Sequence, residues 1–427
     1  MTADFACSRK GMVENMKRVV VTGMGCITPI GNDVDAFWQN LIAGNHGFGE
    51  ITKFDATGLK VKIAAEVKDF KPEAYMEKSE IRKTDLFAQY GLAAAAQAIK
   101  ESNISGNILP DRFGVYIGSG IGGISTFINQ TELLLTKGAQ RISPFFIPMM
   151  IANMASALVA IKHDAHGPNL PIVSACATAT HAIGEAFRAI KFGYADAIIT
   201  GGAEATINPL AMGGFINCMA LSTTNDPDNS SIPFDKRRNG FVMGEGAGII
   251  ILEEYGHAIK RGAKIYCEIS GYGNTCDAFH ITAPHPEATG GTEMIRLAME
   301  ESGLKADEKL YINPHGTSTP LNDKAETLAI KKAFGDIAYK IPISSIKSMI
   351  GHMLGAAGGV EAIATIKAIE TGTIPPTIGY KEPDPDCDLD YVPNTARKHE
   401  IDKALSISLG FGGHNAGIVF NKVNMHE

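Results

Sequence analysis

The sequence predicts an α/β fold built from two similar halves. Short apolar strands alternate with segments whose apolar residues recur at helical spacing, an order typical of sheets covered by helices. A series of four motifs occurs twice in the same order, and glycine-rich stretches follow several of the strands. With 427 residues, the chain also exceeds the size at which one hydrophobic core keeps growing.

The predicted elements follow from local patterns along the first half. Residues 17–25 predict a strand and a glycine turn, and residues 34–43 predict an amphipathic helix around Phe37, Trp38 and Leu41. The next predicted elements are a helix at 85–101, a strand and glycine-rich turn at 111–123, and a mainly helical region at 124–165 that is broken by a loop at 141–150. The end of a strand is predicted at 171–174, followed by a helix that opens near Ala175 or Cys176 and continues through 182–192. The last elements of this half are a strand at 195–204, an irregular region at 211–235, and a loop, strand and helix at 241–262.

From residue 265 the pattern begins again, which indicates an internal duplication. The second-half motifs EISGYGNTCD, DEKLYINPHGTST, PISSIKSMIGHMLGAAGGVEAI and KALSISLGFGGHNA correspond to VVVTGMGCIT, DRFGVYIGSGIGG, PIVSACATATHAIGEAFRAI and YADAIITGGAEA. We therefore expect an N-terminal half at 16–264 and a C-terminal half at 265–427, preceded by an extension at 1–15. In such sheets, ligands bind at the carboxyl ends of strands, where these glycine-rich stretches fall.

The overall composition excludes several classes of function. Hydrophobic residues make up 45% of the chain and charged residues 20%, and the net charge of -7 argues against general binding of nucleic acid. No apolar run approaches the length of a bilayer span, so we expect no membrane insertion. The seven cysteines are odd in number and irregularly spaced, which indicates a reducing compartment, and we expect a cytoplasmic protein.

Cys176 is the candidate nucleophile, because it lies where a strand is predicted to pass into a helix. The first amides of a helix lack intrahelical partners and carry the positive end of its dipole, so we expect them to favour a thiolate. A buried, inert cysteine is the alternative that this segment alone leaves open. The other cysteines are expected to be unreactive, and they are Cys7, Cys26, Cys218, Cys267, Cys276 and Cys387.

Three further motifs fall at equivalent strand ends. NPHGTSTP contains His315, KSMIGHMLGAAG contains Lys347 and His352, and GFGGHNA contains Phe411. A thiolate, two histidines and a lysine suit carbon–carbon chemistry on a thioester, although their spacing alone does not select that reaction.

Two other motifs suggest alternatives. GSGIGG at 118–123 matches a dinucleotide-binding fingerprint but lacks an acidic residue at the expected distance, so nucleotide binding is not expected. His280 and His285 lack a third ligand or helical spacing, so we expect structural roles for them and no metal site.

These motifs, together with PFDKRRNGFVMGEGAG at 233–248, closely resemble the β-ketoacyl-[acyl carrier protein] synthases, and among them the elongating type II enzymes. The resemblance runs from about residue 17 to the C-terminus. It implies the thiolase fold, in which two similar halves form five αβαβα layers, and a homodimer. It also implies decarboxylative condensation of an enzyme-bound acyl group with malonyl-[acyl carrier protein], which extends fatty acyl chains by two carbons without a metal or organic cofactor.

The resemblance also implies a role for individual residues. Cys176 would be the acylated nucleophile, His315 and His352 the decarboxylation pair, and Lys347 a supporting residue paired with Glu361. The amides of Cys176 and Phe411 would form the oxyanion hole, with Phe411 also acting as a gate. The remaining implied sites are the pantetheine-binding Thr317 and Thr319, the acyl-pocket residues Ile121, Phe215 and Leu354, and the carrier-protein contacts Arg82, Lys83 and Arg141.

The chain departs from the family pattern at three positions. Leu409 replaces a common phenylalanine beside the gate, Asn239 replaces the usual aspartate, and His414 stands where threonine or histidine occurs. The same fold also supports three other functions. A polyketide ketosynthase stays open, a thiolase is disfavoured because GFGG lacks that family's second cysteine, and a non-catalytic partner subunit is disfavoured by Cys176 and both histidines.

Overall fold

A computed structural model describes residues 16–305, 307 and 309–423 of the chain, so the predicted extension at 1–15 and Cys7 lie outside the described residues. The strands are β1 (Val19–Ile27), β2 (Gly49–Glu50), β3 (Ile63–Ala64), β4 (Phe113–Gly118), β5 (Ala197–Glu204), β6 (Gly246–Glu254), β7 (Cys267–Cys276), β8 (Leu310–Asn313), β9 (Thr373–Ile374), β10 (Arg397–Lys398), β11 (Lys403–Gly410) and β12 (His414–Asn421).

The α-helices are α1 (Val34–Ile42), α2 (Lys78–Ile81), α3 (Leu86–Ser102), α4 (Ile124–Lys137), α5 (Phe146–Met150), α6 (Met154–Lys162), α7 (Thr178–Lys191), α8 (Pro209–Asn217), α9 (Tyr255–Lys260), α10 (Thr289–Ser302), α11 (Pro320–Phe334), α12 (Lys347–Ile350) and α13 (Ala357–Thr371). Two 3-10 turns matter for the site, Ala175–Ala177 before α7 and Leu354–Ala356 before α13.

The predicted duplication is confirmed by the strand order of the main sheet. Eight strands lie in the order β4-β5-β6-β1-β7-β12-β11-β8, which is two sets of four. In each set the outermost pair is parallel, β4 with β5 and β8 with β11, and the next two pairings are antiparallel. The two sets meet at β1 and β7, which pair through a short antiparallel register.

Helices cover both sets of strands and give the five layers of the thiolase fold. Helices α7 and α13 pack against each other and against strands of both sets, so they form the central layer. Helix α3 covers β1, β5 and β6 on one outer face, and α10 covers β7 and β12 on the other. Within the described residues, no helix is both long and apolar enough to cross a membrane.

Matched glycines set how closely each outer helix approaches its strand. A Cβ on Gly25 of β1 would lie 2.1 Å from the carbonyl oxygen of Ala94 in α3. A Cβ on Gly273 of β7 would lie 1.9 Å from the carbonyl oxygen of Met294 in α10. Both halves therefore need a residue without a side chain here, which is the structural counterpart of the repeated glycine motif.

Most strongly patterned elements agree with the sequence, and aspartate caps determine two helix starts. Asp33 accepts from the amide of Ala36 at the start of α1, and Asp85 accepts from the amide of Phe87 at the start of α3. Each cap satisfies an amide that the first turn leaves without a partner.

Three local predictions are wrong. Residues 171–174 form no strand, because pairing with β4 is limited to a bridge at Asn169, and Pro171 has no amide hydrogen to extend the ladder. Helix α8 lies in the region predicted to be irregular, since Asn208 caps it while its two internal glycines mask its helical pattern. Helix α5 lies in the predicted loop at 141–150.

We predict that Gly25→Ala lowers the stability of the protein by about 1–3 kcal/mol, because the new methyl group overpacks the contact between β1 and α3. Gly58→Ala is the matched control, because nothing lies within 4 Å of its Cβ position. Thermal unfolding of both variants checks this, and an equal melting temperature for the two would contradict it.

Candidate active site

The turn Ala175–Ala177 places Cys176 two residues before the first residue of α7, Thr178. Ala175 has a φ of 51°, a left-handed conformation that is costly for a residue with a side chain. Leu354, the first residue of the matching turn before α13, has a φ of 46°. The duplicated halves therefore share a strained turn ahead of their central helices, and one of the two turns carries the cysteine.

His315 is held by a buried carboxylate after β8. Its backbone amide donates to Glu326 Oε1 at 2.6 Å, and the next amide, of Gly316, donates to Glu326 Oε2 at 2.8 Å. Glu326 is 1% exposed, and burial raises its pKa to about 8. These bonds fix the backbone on which the His315 ring is mounted.

His352 lies between α12 and the turn Leu354–Ala356. Its amide donates to the carbonyl of Val242 at 2.7 Å, and its carbonyl accepts from the amide of Gly244 at 2.9 Å. Its ring packs edge-on against Phe241, with centroids 5.0 Å apart. The segment before β6 therefore fixes His352 through backbone and ring contacts.

The fold brings Cys176, His315 and His352 together from three separate segments. The Sγ of Cys176 and one ring nitrogen from each histidine all lie within 4.8 Å of one another, and all three residues are buried. The two imidazoles meet edge to face, with centroids 5.2 Å apart and planes at 86°. Both nitrogens of His352 and Nδ1 of His315 are buried and have no hydrogen-bond partner in the described part of the protein.

Lys347 is the buried cation beside this trio. It is 1% exposed, and its Nζ forms an ion pair with Glu361, as predicted from the sequence. Burial, followed by the charge of Lys347, holds the pKa values of His315 and His352 well below the usual value for histidine. Both imidazoles are therefore neutral at pH 7, and each can donate one N–H hydrogen bond.

The electrostatics of Cys176 differ from the sequence-based expectation of a thiolate. Burial raises the pKa of the Cys176 thiol to about 12, although Lys347 and the amide of Phe411 act in the opposite direction. The free-energy cost of burying a thiolate is larger than the stabilisation that the nearby amide and lysine give it. Cys176 is therefore a thiol in the resting site and must lose its proton during the reaction.

A cavity of about 220 Å³ opens onto the trio. Its lining includes all three side chains together with the predicted residues Thr317, Thr319, Phe215 and Phe411. The Thr317 and Thr319 hydroxyls lie 2.9 Å apart, and the rings of Phe215 and Phe411 have centroids 6.5 Å apart. The cavity thus has hydroxyls on one wall and aromatic rings on another.

The other two predicted pocket residues lie elsewhere. Leu354 packs in the apolar cluster that contains Cys176, Phe215 and Phe411, but it does not line the cavity. Ile121 is outside both and is 37% exposed. The open space next to the nucleophile therefore ends before it reaches Ile121.

The predicted carrier-protein contacts lie on the surface. Arg82, Lys83 and Arg141 are all exposed. The Nζ of Lys83 lies 5.2 Å from the ring centroid of Phe145. Lys83 and its chain neighbour Arg82 are therefore close to the segment that contains Arg141.

The three positions at which the chain departs from the family pattern lie in different surroundings. Leu409 lines the cavity beside the trio. Asn239 accepts from Ser222 Oγ and donates to Thr224 Oγ1, whereas an aspartate would have to accept from both hydroxyls. His414 lies 6.0 Å from the ring of His181.

Hydrogen bonds within the protein already engage groups of both alternative motifs, the histidine pair and the GSGIGG loop. His280 Nδ1 accepts from two amides of its own loop, and His285 Nδ1 accepts from the amide of Glu287. In the GSGIGG loop, the amides of Gly120 and Ile121 donate to Glu204 and so are not free for a phosphate.

Sequence reasoning missed two buried carboxylates at the site, Glu204 and Glu326. Glu204 ends the apolar strand β5, and Glu326 lies on the helix that follows the His315 motif. A charged residue at the end of an apolar strand signals a buried role, but only the fold shows which amides it accepts from.

Family comparisons agree with this geometry over most of the chain. The beta-ketoacyl synthase N-terminal domain matches residues 16–258, and the C-terminal domain of the same family matches residues 266–381. The chain belongs to the beta-ketoacyl synthase family. The resemblance seen in the motifs is thereby confirmed.

The synthase is similar to curated relatives along nearly their whole length. It is 53% identical to the 3-oxoacyl-[acyl-carrier-protein] synthase 2 of Synechocystis sp. over 95% of this chain and 98% of the relative. It is 50% identical to proteins of the same name from Staphylococcus aureus, with the same coverage, and from Coxiella burnetii, over 95% and 99%.

Solved structures show the same fold. A beta-ketoacyl synthase from Burkholderia phymatum has a TM-score of 0.89 at 34% identity, with coverage of 96% of this chain and 100% of that one. A type II PKS ketosynthase solved with its acyl-carrier protein has a TM-score of 0.87 at 35% identity, with the same coverage.

We predict that alkylation of Cys176 by iodoacetamide accelerates about tenfold per pH unit from pH 7 to 9. Only the thiolate reacts, and its population rises tenfold per unit at any pH well below the pKa of about 12. Peptide mass spectrometry follows Cys176 separately from the exposed Cys218 and Cys276. A rate that is level across this range would indicate a preformed thiolate.

Proposed function

We propose that this synthase is a 3-oxoacyl-[acyl carrier protein] synthase that elongates fatty acyl chains. The observation that carries the proposal is the buried trio of one thiol and two neutral imidazoles at the end of an open cavity. The trio supplies a nucleophile for an acyl group and two hydrogen-bond donors for an enolate oxygen.

In the first half-reaction, Cys176 takes the acyl group from a carrier protein. The sulfur attacks the thioester carbonyl while its proton passes to a neighbouring imidazole, and that proton then goes to the departing carrier thiol. The amides of Cys176 and Phe411 bear the negative charge that develops on the carbonyl oxygen. The Phe411 amide faces the sulfur, to which it donates a hydrogen bond.

In the second half-reaction, malonyl-[acyl carrier protein] loses its carboxylate as carbon dioxide and leaves an enolate thioester. His315 and His352 donate N–H bonds to the enolate oxygen, and this requires neutral rings. The carbanion attacks the acyl carbonyl and expels the Cys176 thiolate, which regains a proton from solvent. Each step uses side chains and substrate alone, so the reaction needs no metal or organic cofactor.

The cavity walls suit the two parts of a carrier-bound substrate. Thr317 and Thr319 would bind the amides of the phosphopantetheine arm, and the aromatic wall of Phe215 and Phe411 would admit the acyl chain. Phe411 would act as a gate, since it lines the cavity and also packs against the apolar cluster that contains Leu354. Arg82, Lys83 and Arg141 would attract an acidic carrier protein.

A fatty acid role is favoured over a polyketide role by the degree of similarity. Identity is 50–53% to the curated 3-oxoacyl synthases and 35% to the type II PKS ketosynthase. A non-catalytic subunit is disfavoured, because it would not need Cys176 and both histidines assembled in one buried site.

We predict that Cys176→Ala abolishes condensation but retains decarboxylation of malonyl-[acyl carrier protein], because both imidazoles stay in place. Mass spectrometry of the acyl-enzyme and release of carbon dioxide measure the two steps. Cys387→Ala is the control, since Cys387 lies in the separate apolar core under α10 and α11. Acyl transfer by Cys176→Ala at the wild-type rate would contradict the assignment of the nucleophile.

We further propose a homodimer. Large apolar side chains are exposed on neighbouring segments between residues 127 and 173, more than isolated surface positions explain. Val173 is 57% exposed and Leu135 is 79% exposed. A second copy of the chain that covers this surface would bury both.

We expect light scattering to give a dimer for the wild type, and we expect Val173→Asp to increase the monomer fraction, because a carboxylate would be buried at the interface. Leu109→Asp is the control, since Leu109 is 71% exposed but lies outside this surface. A wild-type monomer at micromolar concentration would refute the dimer.

The proposed division into halves at residue 264 and a cytoplasmic location rest on sequence arguments. The division falls between the two matched domains, which end at residue 258 and begin at residue 266. The six cysteines in the described part of the chain are all free, which fits a reducing compartment.

A further inference from the structure

Glu204 is a buried carboxylate that the proposed reaction does not use. It is the last residue of β5 and is fully buried. Burial raises its pKa, while bonds from surrounding donors act in the opposite direction. A buried ionisable group is costly unless it is well hydrogen-bonded, so its partners need a structural explanation.

Five donors from three segments converge on the Glu204 carboxylate. Oε2 accepts from the amides of Gly120 at 2.8 Å and Gly355 at 3.0 Å. The donors to Oε1 are Ser119 Oγ at 3.1 Å, Thr206 Oγ1 at 3.1 Å and the amide of Ile121 at 3.3 Å. The carboxylate therefore ties the loop after β4 in the first half to the turn before α13 in the second.

Glycines make room for this connection. A Cβ on Gly120 would lie 2.8 Å from Glu204 Oε2 and 3.6 Å from the carbonyl oxygen of Ala175, which precedes the nucleophile. A Cβ on Gly355 would lie 2.3 Å from the amide nitrogen of Gly120. The loop, the turn and the nucleophile segment are therefore packed backbone to backbone around the carboxylate.

The duplication shows that Glu204 fills the second copy of the nucleophile site. Gly355 occupies the middle of the turn before α13, as Cys176 does before α7. Glu204 ends β5, as Gly410 ends β11 beside the Cys176 amide. The start of α7, at Cys176, is open to substrate, whereas the Glu204 carboxylate occupies the equivalent position at the start of α13.

We propose that Glu204 is a positioning residue that fixes the apolar wall beside Cys176 and thereby determines which acyl chain lengths are accepted. The part of the wall that Glu204 holds is Leu354, which shares the apolar cluster of Cys176 and directly precedes Gly355, whose amide donates to Glu204. The loop of Gly120 and Ile121 lies outside the cavity but packs against this turn, and its amides also donate to Glu204. Small shifts of such a wall alter discrimination between chains of different length, because each methylene is recognised by contact alone. The proposal rests on the function proposed above.

Glu204→Gln is the informative variant, because it keeps the shape of the side chain. The amide oxygen can still accept from Gly120 and Gly355, and the hydroxyls of Ser119 and Thr206 can rotate to accept from the new NH₂ group. The amide of Ile121 cannot rotate, so it alone loses its acceptor. The substitution therefore releases the Ile121 loop.

We expect Glu204→Gln to change the ratio of kcat/KM for long and short acyl-[acyl carrier protein] primers by about tenfold, the effect of one lost hydrogen bond to a charged group. Decarboxylation of malonyl-[acyl carrier protein] should stay within about twofold, because His315 lies on another segment and His352 is held by its own backbone bonds to Val242 and Gly244. Combination with Leu354→Ala should be non-additive, since both changes act on one wall.

Glu253→Gln is the matched control. Glu253 is also fully buried and bonded to Thr22, His257 and Arg261, but it lies near the opposite end of β6 from the site. It should lower the melting temperature without altering the chain-length ratio. If Glu204→Gln does not fold, Thr206→Val removes one donor to the carboxylate and is expected to shift the same ratio in part.

An unchanged chain-length ratio in Glu204→Gln or Thr206→Val, or an equal change in Glu253→Gln, would overturn the proposal. These outcomes are distinct from failure of the proposed function, which would show as absence of acylation at Cys176 in the wild type.

Discussion

Burial of Cys176, His315 and His352 beside a single lysine is the constraint on which the proposed chemistry of this synthase depends. Removal from water disfavours every charged form, so His315 and His352 stay neutral and Cys176 stays a thiol. Lys347, paired with Glu361, reinforces the neutral state of the rings. The site thus presents hydrogen-bond donors at neutral pH, and in the proposed reaction charge forms only as the substrate reacts, where the amides of Cys176 and Phe411 would receive it.

The duplicated fold explains how one site draws on both halves. Helices α7 and α13 lie side by side in the central layer. Each is preceded by a strained turn, and the two turns contact each other. The first half supplies Cys176 from its turn, while the second inserts α12 and His352 just before its own. Duplication provided two equivalent helix starts, and divergence made one reactive and sealed the other with Glu204.

Local sequence patterns were sufficient where one physical rule dominates. The glycines of β1 and β7, the capped helices α1 and α3 and the repeated strand order all follow from periodicity and turn chemistry. The missed elements are those where rules compete. At 171–174, apolar residues favour a strand, but Pro171 lacks the amide hydrogen that would extend the strand pairing. In α8, two glycines disfavour a helix, but the side chain of Asn208 caps its first turn and the helix forms.

The sequence alone predicted which residues carry the chemistry, because the motifs around Cys176, His315 and His352 belong to the repeated series and together resemble those of one family. Only the tertiary structure decided the protonation state of the thiol, the place of Ile121 outside the cavity, and the partners of Glu204. The physical reason is that burial and long-range hydrogen bonds depend on segments far apart in the chain. No local pattern records which amide a buried carboxylate will meet.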